Sequence, residues 1–155
     1  MSRDADLRAA FEEIVSGNEY VVLATADEQG VPWATPVWFA TEDFDELFWV
    51  SRPDARHSTN LAVRPELALT VFDSRQPAGT GRGVYLSAIG ALVPEHDLDR
   101  AVGVFSGASQ RAGAGTWSRS DVTGEARHRL YHAVAIERFV LSDRDERIRV
   151  PRRDR

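Results

Sequence analysis

The sequence predicts an α+β fold, mainly β with flanking helices, in which six antiparallel strands close into a barrel. Three observations support this prediction. Six segments have the alternation and the β-branched and aromatic content of strands, few segments have helical periodicity, and no internal repeat is visible. Many short strands with few helices are typical of a barrel.

The first half of the chain is predicted to form a helix followed by three strands. Leu7 and Phe11 recur at helical spacing among charged residues, and Gly17 ends the helix. A hairpin around the turn DEQG and one further strand come next, as the segments YVVLATA, VPWATPVWFATE and ELFWVS. Because Pro32 and Pro36 cannot donate to a ladder, the second strand should lie partly at a sheet edge or turn these positions away from its neighbour.

The second half of the chain is predicted to contain two helices and three more strands. A short helix lies between Pro53, which suits a first turn, and Pro65, which stops it, and Pro94 begins another helix. Residues 106–126 are rich in Gly, Ser and Ala and are expected to form a loop. The Arg-rich end from Arg144 is expected to form a short strand or a tail. The three strands are ELALTVFDS, VYLSAIGALV and RLYHAVAIERFVLSD.

Composition limits the possible function classes. The chain has 155 residues, 43% of them hydrophobic, and predicts one domain over residues 1–150 with an Arg-rich tail at 151–155. Its start is charged and no segment approaches the roughly 18 apolar residues of a membrane span, so we expect a cytoplasmic protein without a membrane partner. The absence of cysteine excludes disulfides, thiolate catalysis and cysteine-ligated metal sites.

Charge is distributed unevenly along the chain. Residues 1–50 contain eleven acidic residues and two arginines, whereas residues 127–155 contain nine arginines and five acidic residues. This asymmetry could favour contact between the tail and an acidic face of the same chain or of a partner, although a solvated tail explains it equally well. The net charge of −5 and the lack of a long basic stripe argue against nucleic-acid binding.

The stretch WVSRPDARHSTNL places anion-binding groups where a predicted strand ends and a helix begins. Ser51, Arg56 and His57 supply a hydroxyl, a guanidinium and an imidazole beside the free N–H groups of the helix start, which are the donors that a phosphate monoester requires. Residues 49–50 and the facing segment 35–38 could present apolar side chains and backbone groups to a flat ring. The pattern fits a mononucleotide, but the same residues could serve as a surface cap and ion pairs.

The order of these motifs resembles the pyridoxamine 5'-phosphate oxidase-like, FMN-binding split-barrel family, especially its short single-domain actinobacterial members. The resemblance rests on the hairpin, FWVS, RH, NL, a proline, a strand ending in VFD and the later DVTGEARHRLYHA, and it spans most of residues 15–140. It implies a six-stranded split barrel that forms a homodimer, with two flavins bound between the subunits. It also implies an FMN-dependent oxidoreductase that transfers two electrons to or from a small molecule.

The resemblance also implies a set of cofactor-binding residues. His57 stands where the family commonly has Lys, and if it contacts the phosphate, cofactor affinity should rise as the pH falls toward 6. Trp117, Arg127 and Arg129 would reach over from the second subunit, and Tyr85 stands near a position where many relatives have Gln. The implied cofactor-binding residues are Thr35, Pro36, Val37, Trp49, Val50, Ser51, Arg56, His57, Asn60, Tyr85 and Trp117.

The sequence is compatible with several alternatives. The same fold could use a deazaflavin coenzyme, whose polyglutamate tail the Arg-rich end could bind, or the protein could bind flavin without catalysis. Pyridoxamine phosphate is not the expected substrate, because the Trp and Arg-Leu-His segment of the longer oxidases is absent. No catalytic residue is assigned. No metal site is expected either, since His128 and His132 lie on a predicted strand, about 13 Å apart.

Overall fold

The computed structural model describes residues 2–153. Asp154 and Arg155, the last residues of the predicted tail, lie outside the described residues. The helices and strands, in chain order, are α1 (Arg3–Ser16), β1 (Tyr20–Ala26), β2 (Pro32–Trp38), β3 (Ala40–Thr41), β4 (Glu46–Ser51), α2 (Arg56–Val63), β5 (Glu66–Phe72), β6 (Gly83–Leu92), α3 (Leu98–Arg111), β7 (Arg129–Leu141) and β8 (Arg147–Arg149).

The strands form one curled antiparallel sheet in the order β2-β1-β5-β6-β7-β4-β3, with β8 added beside β7. This confirms the predicted mainly β, split-barrel type of fold with flanking helices. The strand β2 lies at a sheet edge, as its prolines predicted. The sheet of residues 2–153 has eight strands and not the predicted six, because the Arg-rich end contributes β8 and the second predicted segment divides at Phe39. Its first part pairs with β1 and its second part turns to pair with β4.

The core consists of two apolar clusters that share strand β4. Leu47 and Trp49 point into the barrel, whose open end is covered by Phe11 of α1. Phe48 points to the opposite side and packs against Phe105 of α3. The strand is therefore buried on both faces, since successive side chains alternate across it.

The prediction of a loop over residues 106–126 is wrong for its first part. Helix α3 continues to Arg111, and the buried face that includes Phe105 extends to Ser109. A short 3-10 turn follows at Arg119–Asp121. The intervening chain is attached to the helix, because the N–H of Trp117 donates to Ser106 Oγ over 2.8 Å.

The C-terminal arginines meet the acidic first half of the same chain. Arg153 Nε lies 2.9 Å from Glu12 Oε1, and the buried Arg138 forms an ion pair with Asp45. Oppositely charged residues of the two ends of the sequence therefore form ion pairs within one chain. Within residues 2–153, none of the helices has the length and apolar character that crossing a membrane requires.

Replacing Phe11 with Ala is expected to lower the free energy of unfolding by about 3–5 kcal/mol, because its ring is 1% exposed and its loss leaves a cavity between α1 and the barrel. Urea denaturation followed by far-UV circular dichroism measures the change. Ala9→Ser, on the exposed side of the same helix, is the control and should stay within about 0.5 kcal/mol. An unchanged midpoint for Phe11→Ala would contradict the packing of α1 on the barrel.

Candidate functional site

The predicted anion-binding residues meet where β4 ends and α2 begins. Ser51 is the last residue of β4, His57 lies in the first turn of α2, and each is 8% exposed. Ser51 Oγ and His57 Nε2 share a buried hydrogen bond of 2.6 Å. This bond fixes the start of the helix against the end of the strand.

Burial lowers the pKa of His57 below its ordinary value. The imidazole is therefore neutral at neutral pH, and its charging moves to more acidic conditions than the sequence suggested. The expected rise of cofactor affinity toward pH 6 shifts to lower pH accordingly. The contribution of His57 at neutral pH is to hold Ser51 and the helix start together, and not to add a positive charge.

The start of α2 lacks the features that normally stabilise a helix N-terminus. Helix α1 begins with the side chain of Ser2 accepting a hydrogen bond and has two acidic residues in its first turn. The N-cap residue of α2 is Ala55, which provides no side-chain cap. The first turn of α2 has no acidic residue and carries Arg56 and His57. Because a helix N-terminus favours negative charge, this arrangement suits an external anion.

Several hydrogen-bonding groups at this helix start have no partner in residues 2–153. The backbone N–H groups of Arg56, His57 and Ser58 precede the first intrahelical acceptor. The hydroxyl of Ser58 is also buried without a hydrogen-bond partner. Unsatisfied buried donors are costly, so a ligand that accepts from the helix start would stabilise it.

Arg56 is exposed and makes no ion pair within the described part of the chain. Its guanidinium carbon lies 4.5 Å from the ring centroid of Trp33 on β2. Arg52, in contrast, is paired with an acidic residue, since its Nε donates to Asp54 Oδ1 over 2.9 Å. The hydrogen bond from Arg52 lowers the pKa of Asp54, and the charge of Arg127 adds to the effect. The corner formed by these residues has an excess of positive charge.

Helix α2 is anchored to the hairpin β1–β2 by a buried polar relay. Asn60 Nδ2 donates to Thr25 Oγ1 over 3.0 Å, and Thr25 Oγ1 donates to the backbone oxygen of Trp33 over 3.4 Å. On the other side of the helix, a Cβ at Gly90 would lie 3.2 Å from Leu61 Cδ2. The glycine allows α2 to approach the sheet closely.

The residues predicted to line a flat ring do not all lie on the same face of their strands. Thr35 and Val37 are half-buried and share the face of β2 that carries Trp33, whereas Pro36 is exposed on the opposite face. The side chain of Trp49 is fully buried and stacks on Tyr131, so only its backbone is available to a ligand at the surface. Val50 packs against the cluster beneath α3.

Tyr85 and Trp117 make their described contacts with residues other than Ser51, Arg56 and His57. Tyr85 is on the face of the sheet opposite to the buried core, with the Arg147 guanidinium 5.4 Å from its ring. Trp117 packs edge-on against Phe105, with the ring centroids 5.5 Å apart. Arg129 pairs with Ser51 across the strands but donates to backbone oxygens of the preceding loop. A second subunit would be needed to bring Tyr85 to a ligand at Arg56.

Sequence reasoning missed Trp33 and Thr25 as parts of this site. Trp33 is two residues before Thr35, so the alternation of β2 already placed them on one face. Thr25 is a buried polar residue in an otherwise apolar strand face, which indicates a specific hydrogen-bond partner. The partners of both residues lie on α2 and could not be identified from the sequence alone.

Comparison with known proteins gives one family match. A family model described as pyridoxamine 5'-phosphate oxidase matches residues 7–139. No match was found among curated proteins.

The fold is similar to several solved structures of low sequence identity. A heme binding protein from Mycobacterium smegmatis has a TM-score of 0.74 and 14% identity, and the match covers 96% of this chain and 58% of that one. HutZ, a heme storage protein from Vibrio cholerae, has a TM-score of 0.63 and 18% identity, covering 90% and 95%. A conserved hypothetical protein from Mycobacterium tuberculosis has a TM-score of 0.64 and 21% identity, covering 94% and 87%. These similarities show the shared fold.

Burial of His57 should make the stability of the protein depend on pH. Because its pKa is lowered in the folded chain, the unfolded chain binds the proton more readily below about pH 6.5. The contribution of His57 to stability is therefore present above about pH 6.5 and is lost as the pH falls. We expect the fall in unfolding free energy between about pH 7.5 and 5.5 to be smaller in His57→Gln than in the wild type.

Urea denaturation at the two pH values measures this difference. His96→Gln changes an exposed histidine in the turn before α3 and should keep the wild-type pH dependence. Equal pH dependence in wild type and His57→Gln would show that His57 titrates alike in the folded and unfolded chains.

Proposed function

Since this chain belongs to the pyridoxamine 5'-phosphate oxidase family, we propose that it is an FMN-binding oxidoreductase that acts on a small molecule. The observation that carries this proposal is the start of α2. There the chain combines an uncapped helix N-terminus with an exposed Arg56 that no acidic residue in 2–153 neutralises. Such a combination suits the phosphate monoester of a mononucleotide.

The remaining residues of the corner fit the rest of the cofactor. Arg56 and the free N–H groups of α2 would bind the phosphate, and Ser51 at the end of β4 would lie beside the ribityl chain. Thr35 and Val37, on the face of β2 toward α2, would orient the ring and exclude water from one side. Bound FMN would supply the two-electron redox chemistry, and the protein would supply binding and orientation.

We propose that two copies of the chain form the complete site. The face of the sheet opposite to α2 carries the small side chains of Ala24 and Ala68, which are cross-strand partners and exposed. Around them are larger exposed apolar residues, including Ile89 and Val134, which are 40% and 44% exposed. Glu66 and Ser87 share this face, but its exposed apolar residues favour contact with a second copy of the same chain. Tyr85 lies on this face and would then reach the partner's cofactor.

FMN is preferred to the deazaflavin coenzyme because Arg152 and Arg153, the described arginines of the predicted tail, have partners within the chain. Arg153 pairs with Glu12, and Arg152 Nη2 donates to the backbone oxygen of Ala135 over 3.2 Å. A polyglutamate tail would have to compete with these contacts. A flavin-binding protein without catalytic activity would use the same residues. Turnover of reduced nicotinamide with an electron acceptor distinguishes an oxidoreductase from such a protein.

One of the similar structures is named a heme binding protein and another a heme storage protein, and heme binding is the second candidate to test. Three of the four histidines contact neighbouring side chains, whereas the fourth, His96, is exposed in the turn before α3. His57 is hydrogen-bonded to Ser51, and His132 Nδ1 lies 2.5 Å from Glu46 Oε2. His128 packs edge-on against Trp117. The exposed corner at Arg56 instead provides donors for a phosphate.

Arg56→Ala is expected to weaken FMN binding about tenfold to a hundredfold, because a charge-assisted hydrogen bond to phosphate contributes about 1.5–3 kcal/mol. Titration of FMN with the protein, followed by quenching of flavin fluorescence, measures the dissociation constant. Arg75→Ala is the matched control, since Arg75 is 87% exposed in the loop after β5 and should leave affinity unchanged.

The same titration is repeated with the deazaflavin coenzyme and with hemin. Tight FMN binding that is lost in Arg56→Ala supports the proposed site. Equal FMN affinity in wild type and Arg56→Ala would refute the phosphate assignment. Preferential binding of hemin, unaffected by Arg56→Ala, would favour the second candidate.

Ala68→Arg is expected to convert the proposed dimer into a monomer and to weaken FMN binding. A charged side chain of this size on the apolar sheet face would be desolvated by the second copy without a partner. Light scattering after size-exclusion chromatography measures the mass, and Ala9→Arg on exposed α1 is the control. A wild-type protein that is monomeric while it binds FMN fully would contradict the two-copy site.

A further inference from the structure

Trp33 on the edge strand β2 lies against the exposed arginine of the first turn of α2. The guanidinium carbon of Arg56 is 4.5 Å from the Trp33 ring centroid, and Trp33 is 41% exposed. We infer that Trp33 is a positioning residue that orients Arg56 toward the anion bound at α2. This inference rests on the function proposed above and assigns a role to a residue outside the binding set inferred from the sequence.

Stacking holds the guanidinium without consuming its hydrogen-bond donors. A cation over an aromatic face is attracted by the π system, whereas the N–H groups of arginine point outward in the guanidinium plane. An acidic partner would occupy those donors, as Asp54 does for the neighbouring Arg52. Arg56 therefore keeps its charge and its planar donor fork available to a ligand while its orientation is restricted.

Trp33 and Arg56 lie on two elements, β2 and α2, that buried hydrogen bonds hold together. Trp33 accepts a hydrogen bond at its backbone oxygen from Thr25, and Thr25 accepts one from Asn60 of α2. Thr25 and Asn60 are 3% and 4% exposed, so water competes little for these bonds. The edge strand and the helix are thus joined on the core side by a polar relay and on the surface side by the aromatic stack.

Trp33 lies on the same face of β2 as the residues proposed to contact the ring of the cofactor. Trp33, Thr35 and Val37 alternate onto one face of β2. Arg56 is held at the Trp33 end of this row, and the ring is proposed at the Thr35 and Val37 end. Restricting Arg56 before binding reduces the rotamer freedom that is lost when an anion is bound, which increases affinity.

The test is a double-mutant cycle on FMN affinity with Trp33→Ala, Arg56→Ala and the combined variant. Trp33→Ala is expected to weaken binding about twofold to fivefold, the range of an exposed cation–π contact. In the Arg56→Ala background, Trp33→Ala should have no further effect, because the residue acts through Arg56. Trp33→Phe keeps an aromatic face and should recover most of the wild-type affinity.

Val31→Ala, just before β2 and 48% exposed, is the matched control and should bind FMN as the wild type does. Thermal unfolding of each variant establishes that it is folded. Equal losses from Trp33→Ala in both backgrounds would show that Trp33 acts independently of Arg56 and would overturn the inference. An unchanged affinity of Trp33→Ala in the wild-type background would also overturn it.

A parallel titration with inorganic phosphate, followed by tryptophan emission, separates this inference from the proposed function. Phosphate binding at Arg56 should change the emission of the wild type and much less that of Trp33→Phe. If the wild type binds phosphate but not FMN, the flavin proposal fails, and the same cycle measured with phosphate decides the role of Trp33. If the wild type binds neither, both proposals are refuted.

Discussion

The burial of strand β4 on both faces is the constraint on which the rest of the structure depends. Leu47 and Trp49 fill the barrel, while Phe48 packs beneath α3. A shift of one residue would exchange these two sets of side chains, so the register of the strand is strongly specified. The end of β4 is therefore held in place, and with it the point at which Ser51 contacts His57. The polar corner derives its rigidity from an apolar core on both sides of one strand.

Local patterns were sufficient to predict the class of fold and most of its elements, but not the contacts between distant elements. The short strand β3 was not predicted, because two residues have no periodicity, and β8 was expected only as one of two possible forms of the Arg-rich end. Both strands depend on pairing, β3 with β4 and β8 with β7. The junction of Ser51, Arg56 and His57 was predictable, since a strand end and a helix start adjoin in sequence. The stack of Trp33 on Arg56 and the bond between Thr25 and Asn60 depend on how α2 lies on the hairpin.

The first turn of α2 is locally unfavourable, although the fold holds the helix in place. Its first turn has basic residues where the helix dipole favours acidic ones, and a buried serine hydroxyl lies there without a partner. Helix α1 of the same chain has a side-chain cap from Ser2 and places Asp4 and Asp6 beside Arg3 in its first turn. Sequences that violate a local rule at one place while obeying it elsewhere typically do so at functional sites. The tertiary anchors through Asn60 and Leu61 hold the helix in spite of this local cost.

The contacts between α1 and the C-terminal segment have a consequence for the connectivity of the chain. Arg8 donates to the backbone oxygen of Arg152, and Arg153 pairs with Glu12, so the first helix and the last described residues are neighbours. Segments that lie this close can be connected by a short linker. The exposed loop over residues 73–82 then provides a place to open a circularly permuted chain, because no strand of the sheet passes through it. In such a protein β4, α2 and β2 would remain in one uninterrupted segment.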